Sequence, residues 1–142
     1  MGTVRAVCLS AAKGTAKQDA GQAELVVQYG LKGDAHAGNG HRQVSLLSLE
    51  KVQAFRAKGA DVAYGDFGEN IVAEGIDFAR LPVGTKLRCG EALLEISQIG
   101  KECHNRCAIF HRMGDCIMPR EGVFAVVLQG GIVRAGDGIN AE

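Results

Sequence analysis

Three of the five cysteines, Cys103, Cys107 and Cys116, fall close together, and the first two sit in the run Gly100–Cys107, GKECHNRC. A thiol reacts as its thiolate, and nearby positive charge raises the thiolate fraction. Lys101, His104 and Arg106 flank Cys103. The segment Cys103–Met113 is readable as a short helix, whose N-terminal dipole would also favour the anion. On a helix, residues four apart share a face, which would bring Cys103 and Cys107 together. One thiol could then carry a sulfur atom and the other release it by forming a disulfide. Cys107 precedes Ala108 and Ile109, so a buried, inert role is an equal reading for it. A zinc site built from Cys103, Cys107, Cys116 and His104 or His111 is a structural alternative, although C-x3-C departs from the usual C-x2-C ligand pair.

Three further runs carry polar groups suited to a ligand. Gly33–Arg42, GDAHAGNGHR, places Asp34, His36, His41 and Arg42 in a glycine-rich loop. Glycine permits unusual backbone angles and close approach to a bound group. A solvated turn with a local Asp34 bond is the plainer reading of that run. Gly65–Asn70, GDFGEN, offers Glu69 and Asn70, either to a ligand or to a strand end. Met118–Gly122, MPREG, offers Arg120, whose planar guanidinium suits phosphate or carboxylate.

These runs must be positioned by the segments between them. Thr3–Leu9, Ala23–Tyr29, Arg42–Leu47, Ile71–Ala73, Lys86–Cys89, Ala92–Gln98, Val123–Leu128 and Ile132–Arg134 read as short strands. Gly30–Gly40 reads as irregular, and Ser10–Ala20 as a polar loop. Gly90-Glu91 and Gly130-Gly131 read as hairpin turns. One helix is expected over Leu49–Lys58, with Ser48 as its N-cap, Leu49, Val52 and Phe55 on its apolar face, and Gly59 at its end. Gly136–Gly138 closes the pattern. Cys8 and Cys89 fall in strands and are expected in the core. Seven or eight short strands punctuated by the chain's 20 glycines predict a mainly β barrel or sandwich.

The 142 residues match one domain, expected to span 1–142 with its core at about 5–137. Net charge is zero, with 16 basic and 16 acidic residues, so there is no nucleic-acid footprint. No run of about 18 apolar residues predicts a membrane helix, and the start lacks a secretory signal. Without these signals the cytoplasm is the expected compartment, where thiols are kept reduced and clustered cysteines are more often catalytic or metal-binding.

Taken in order, GDAHAGNGHRQVSLLSLE, GDFGENIVAEGID, LPVGTKLRCGEALLEISQIGKECH and the Arg120–Asp137 tail resemble the MOSC domain, the C-terminal domain of molybdenum-cofactor sulfurases, in its small single-domain bacterial form. The resemblance runs from about Arg5 to Asp137. It implies a β-barrel of mixed strands with a few short helices. It implies that Cys103 carries sulfur as a persulfide or ligates molybdenum, and that molybdenum cofactor is a candidate ligand. Under it, Asp34, His36, His41, Arg42, Glu69 and Asn70 line the pocket from two loops, and Lys101, Arg106 and Arg120 meet an anionic pterin phosphate or the thiolate. Cys107 is the candidate resolving thiol. Many members have proline before this cysteine, where this chain has Glu102. Sulfurases join the domain to a pyridoxal-phosphate unit; no pyridoxal phosphate is expected in this chain itself, so a cysteine desulfurase or another sulfur donor must supply it. Enzymes that use or build molybdenum cofactor are the expected acceptors. The implied activities are sulfur transfer or a part in molybdenum-dependent oxidoreduction, and the alternative is a non-catalytic cofactor-binding or partner module.

Overall fold

A computed structural model describes residues 2–11, 17–35, 37–38, 40, 42–59, 63–100 and 122–142. Their organisation follows from apolar alternation. In β1 (Gly2–Leu9), β5 (Val44–Ser48), β6 (Ile71–Glu74), β7 (Lys86–Cys89), β8 (Ala92–Ile99), β9 (Val123–Gln129) and β11 (Gly138–Ala141), one set of side chains faces a common interior. These seven strands pair in the order β11-β7-β8-β9-β5-β6-β1, and β1 pairs again with β11, closing a barrel. Closure removes the exposed sheet edges. The sheet is mixed, since β5 and β6 are parallel and the other barrel pairs are antiparallel.

The interior is packed with Val4, Val7, Leu46, Ile71, Leu87, Leu94, Ile96 and Ile139, all with no exposure. Phe78, in the 3-10 turn Phe78–Arg80, joins this core with its ring fully buried. A second sheet, β10 (Gly131–Arg134), β3 (Gln22–Val26) and β4 (Gly30–Leu31), packs Leu25, Leu31 and Val133 onto the same core. β2 (Gln18–Asp19) pairs with the end of β1.

The helix α1 covers Leu49–Ala57 and buries Leu49, Val52 and Phe55, the spacing its sequence predicts. Gly59 ends it with φ at +97°. Ser48 occupies the N-cap position, but its hydroxyl does not cap the helix. It donates to the Ile76 carbonyl at 2.7 Å and accepts from the Phe78 N–H at 3.3 Å, tying the 3-10 turn to the barrel.

Four expectations are corrected. The strand predicted over Ala23–Tyr29 stops at Val26, because Gln28 takes φ +56° in a turn. That turn leads into a second short strand, Gly30–Leu31, inside the stretch expected to be irregular. Gln18–Asp19 likewise pairs as a strand within the polar stretch read as loop. The chain does not finish at Gly136–Gly138: Gly138–Ala141 is the closing strand of the barrel. Cys8 and Cys89 are buried free thiols, as their strand positions predict. Among the described residues no helix is long and apolar enough to cross a membrane.

Candidate functional site

Barrel residues Val7, Val44, Leu46, Ile71, Val123 and Ala125 point inward. Side chains alternate along a strand, so Cys8, Ser45, Asn70 and Phe124 point to the outer face. They fall in one row across the wall. Gln98 pairs with Phe124, and Phe124 pairs with Ser45. Asn70 continues the ladder: its N–H donates to the Ser45 carbonyl at 3.0 Å, and its carbonyl accepts from the Cys8 N–H at 2.6 Å. Cys8 in turn pairs with Asp19.

The loop residues predicted as site candidates attach to this row at two places. At one end, Asp34 reaches Asn70, whose Nδ2 donates to Asp34 Oδ2 at 3.2 Å and to the Cys8 carbonyl at 3.0 Å. Asn70 Oδ1 accepts from the Ser45 N–H at 2.9 Å, and Ser45 Oγ lies 3.1 Å away. Asn70 is thus fully engaged, a requirement for an amide with 1% exposure. Asp34 Oδ1 accepts from the Ser10 N–H at 3.1 Å and from Lys17 Nζ at 2.6 Å. The Lys17–Asp34 side chains are 1% and 0% exposed, a buried ion pair. Burial alone would raise the Asp34 carboxyl, but the bonds from Lys17, Ser10 and Asn70 and the Lys17 charge outweigh it and hold the carboxyl below its usual range.

Lys17 is the residue that sequence reasoning missed. It lies in a small, polar stretch with no local sign of burial, and its counter-ion is 17 residues away. Its own N–H donates to the Gly65 carbonyl at 3.0 Å, which draws the GDFGEN loop against it. Gly65 has φ +94°, and a Cβ there would collide with the Lys17 carbonyl, so this approach requires glycine.

Glu69 has no exposure. Its carboxylate turns back into its own loop, accepting from the Gly65 N–H at 3.0 Å and the Phe67 N–H at 3.1 Å. Burial pushes its acid form up to about 7 despite those two bonds. Cys8 is pushed well above the ordinary thiol range, first by burial and then by Glu69. Burial raises Cys89 to about 12. Neither thiol can supply a thiolate near neutral pH.

At the other end of the row, Arg42 is exposed. Its guanidinium lies 5.4 Å from the Phe124 ring centroid, and its Nε donates to Gln98 Oε1 at 3.1 Å. Gln98 Nε2 donates to the Gly100 carbonyl at 2.7 Å, and the Gly100 N–H donates to the Gly122 carbonyl at 2.6 Å. The chain therefore leaves the wall for the Cys103 run and returns to it at one hydrogen-bonded stem, with Arg42 beside that stem.

Four predicted site residues, Asp34, Arg42, Glu69 and Asn70, are thus brought to one wall of the barrel. Asp34, Glu69 and Asn70 hold the loops, and Arg42 presents charge outward. His36, His41, Lys101, Cys103, Arg106, Cys107 and Arg120 lie outside the described residues, as do the helix predicted at Cys103–Met113 and the zinc set with Cys116, His104 and His111. Among the described residues no group of three or more His, Cys, Asp or Glu could hold a metal ion.

The sequence profile of the MOSC domain matches residues 32–140. No curated protein sequence matches the chain. Among solved structures, the YuaD protein of Bacillus subtilis is similar with a TM-score of 0.80 and 18% identity, covering 98% of this chain and 94% of its own. YiiM from Geobacillus stearothermophilus has a TM-score of 0.75 and 18% identity, with 100% and 75% covered. YiiM from Escherichia coli has a TM-score of 0.65 and 20% identity, with 99% and 69% covered. At these identities the likeness is one of fold.

Proposed function

The chain belongs to the MOSC domain family, and on that premise we propose that it is a sulfur carrier or molybdenum-cofactor-binding protein acting through Cys103. Family membership carries an association with molybdenum-cofactor-related sulfur handling and cofactor binding. The observation that supports the finer reading is the stem: the run bearing Cys103 starts from the end of the outer row, beside the exposed guanidinium of Arg42. The buried thiols Cys8 and Cys89 are held protonated, which supports the reading that the chemistry belongs to the Cys103 run.

In the carrier reading, the Cys103 thiolate attacks the outer sulfur of a donor's persulfide. A sulfur–sulfur bond forms at Cys103, the donor's sulfur–sulfur bond breaks, and the donor leaves as a thiol. Cys107 can later attack Cys103, closing a disulfide and expelling hydrosulfide. Lys101 and Arg106 favour the thiolate, while Glu102 opposes it.

Molybdenum cofactor is an anionic group, and the described part of the site fits one through Arg42. That cation is exposed, oriented by Gln98 and stacked on Phe124. When bound, the cofactor would supply redox chemistry at its metal. Cys103 would be its ligand, a soft thiolate suited to that role. Arg42, Lys101, Arg106 and Arg120 would meet its anionic end, and His36 and His41 would line the loop above. Asp34, Glu69 and Asn70 form the rigid base that orients both loops. Partners in this reading are a cysteine desulfurase or similar donor and proteins that build or use the cofactor.

The test is an intact mass spectrum after incubation with a cysteine desulfurase and cysteine. Wild type should gain one sulfur atom and Cys103→Ala none. An equal gain in both proteins would remove Cys103 from the carrier role, and no gain in either would leave only direct cofactor binding.

A further inference from the structure

Simple alternation along β8 would send Gln98 into the barrel core, because Leu94 and Ile96 both point there. A bulge prevents it. Ile96 pairs with Ala125 and Gln98 with Phe124, so Ser97 is one residue more than the partner strand supplies. The Ser97 hydroxyl donates to the Phe124 carbonyl at 3.1 Å and holds the bulge in place. A bulge re-aims the side chains beside it, and Gln98 is thereby turned onto the outer face next to Phe124.

There the amide spans two groups with opposite needs. Arg42 Nε can only donate, and the Gly100 carbonyl can only accept. Gln98 serves both, with Oε1 3.1 Å from Arg42 Nε and Nε2 2.7 Å from the Gly100 carbonyl. Glutamate would lack the donor, and an apolar chain would lack both groups. Gly100 is itself fixed, at φ +71° and with its N–H on the Gly122 carbonyl. It stands three residues before Cys103. One side chain therefore ties an exposed cation to the backbone from which the Cys103 segment departs.

The remainder of Arg42 shows what it is held for. Its guanidinium lies over the Phe124 ring, 5.4 Å from the centroid, and its Nε edge is taken by Gln98. Among the described residues it makes no other hydrogen bond and meets no carboxylate. The Nη1 and Nη2 donors are thus kept for a guest. That fork matches two oxygens of a phosphate- or sulfate-type anion. An untethered surface arginine must give up rotamer freedom when it binds; ring and amide remove that freedom beforehand, which favours binding.

We propose that Gln98 is a positioning residue, placed by the β8 bulge to hold the Arg42 guanidinium so that its Nη edge receives a tetrahedral oxyanion beside the Gly100 stem. This role rests on the anion-facing part given to Arg42 above, and it adds the residue that sets the geometry and the class of anion received. Loss of one hydrogen bond to a charged group should weaken anion binding about 10-fold. The loss should exist only while residue 42 is arginine, because Gln98 acts through the guanidinium. Lysine keeps the charge but has no fixed Nε edge to hold.

The experiment is an NMR titration of the isotopically labelled full chain with inorganic phosphate and, separately, with glycerol phosphate at equal ionic strength. The Phe124 amide signal follows binding in wild type, Gln98→Met, Arg42→Lys and the double variant. Both probes should shift it in wild type, and the tighter one shows whether a free oxyanion or a phosphate ester is the better guest. Without ligand, the wild-type Arg42 Nε–H should be rigid on the nanosecond timescale. Gln98→Met should release that group and raise the half-saturating phosphate concentration about 10-fold. In the Arg42→Lys background the same change should have no further effect. Gln98→Asn, one methylene too short to reach both partners, should act as Gln98→Met does and replaces it if methionine disturbs the bulge. Equal affinity with and without Gln98, an equal loss in the Arg42→Lys background, or a mobile Arg42 Nε–H in wild type would overturn the role. Sulfur loading of wild-type Cys103, measured separately, keeps the two ideas apart. Loading without any phosphate response would sink the role of Gln98 and keep the carrier. A Gln98 effect that needs Arg42, in a protein that never loads, would do the reverse.

Discussion

Replacing Lys17 with methionine tests the buried ion pair at the base of the site. The substitution keeps most of the side-chain volume and removes the ammonium 2.6 Å from Asp34 Oδ1. Asp34 is then left buried with the Ser10 N–H and Asn70 amide as partners but no cation. Breaking one side of a buried pair costs about 3–5 kcal/mol, because the remaining charge is uncompensated. An unfolding entropy of about 2.1 cal/mol/K per residue gives about 0.3 kcal/mol/K for 142 residues. A loss of about 4 kcal/mol then lowers Tm by about 13 °C. Urea unfolding and calorimetry at pH 7 measure both quantities. The double variant Lys17→Met, Asp34→Asn should recover about 2 kcal/mol or more, since neither charge remains buried. The pH dependence has a defined sign. In wild type the Asp34 carboxyl is held low, so the pair's contribution is present above the unfolded value near 3.9 and is lost as pH falls below it. In Lys17→Met a proton can replace the ammonium, so the gap to wild type should narrow on acidification. A loss under about 1 kcal/mol at pH 7, or a gap that widens in acid, would refute the reasoning.

Three other outcomes follow from the same structure. Phe78→Ala empties a fully buried ring site in the barrel core and should cost about 3–5 kcal/mol in urea unfolding; a cost under 1 kcal/mol would mean the ring is not packed as described. Truncation before Gly138 removes the strand joining β1 to β7, so circular dichroism should show no cooperative transition, and a native-like melt would contradict barrel closure. In the native protein at pH 8, Cys8 and Cys89 should stay unmodified by a thiol reagent for as long as the fold persists, because both are buried with raised acid constants; rapid labelling of either at the rate seen in urea would count against the fold.

Much of the barrel is legible locally. The α1 face is written as Leu49, Val52 and Phe55 at helical spacing, and Gly90-Glu91 marks the turn between β7 and β8. What escapes local reading depends on distant partners. Gly138–Ala141 has little apolar signal of its own and is a strand only because Thr3 and Cys89 supply its neighbours. Lys17 looks like a loop cation, and its burial is decided by Asp34 and by the close approach of Gly65. The loops GDAHAGNGHR and GDFGEN are conspicuous in sequence, yet their meeting at Asn70 is a product of the barrel register. Their polar residues also divide in a way that residue type alone does not show: Asp34, Glu69 and Asn70 turn into the protein, while Arg42 turns out.

The most direct test of the account is to locate the transferred sulfur among the five thiols. After loading by a cysteine desulfurase, persulfides are trapped by alkylation and the protein is cut with trypsin. Cleavage after Lys101, Arg106 and Arg112 leaves Cys103, Cys107 and Cys116 on separate peptides, apart from those of Cys8 and Cys89. The account predicts the extra sulfur on residues 102–106, with none on the peptides of Cys8 or Cys89. Sulfur confined to Cys107 or Cys116, or spread over the buried thiols, would contradict it.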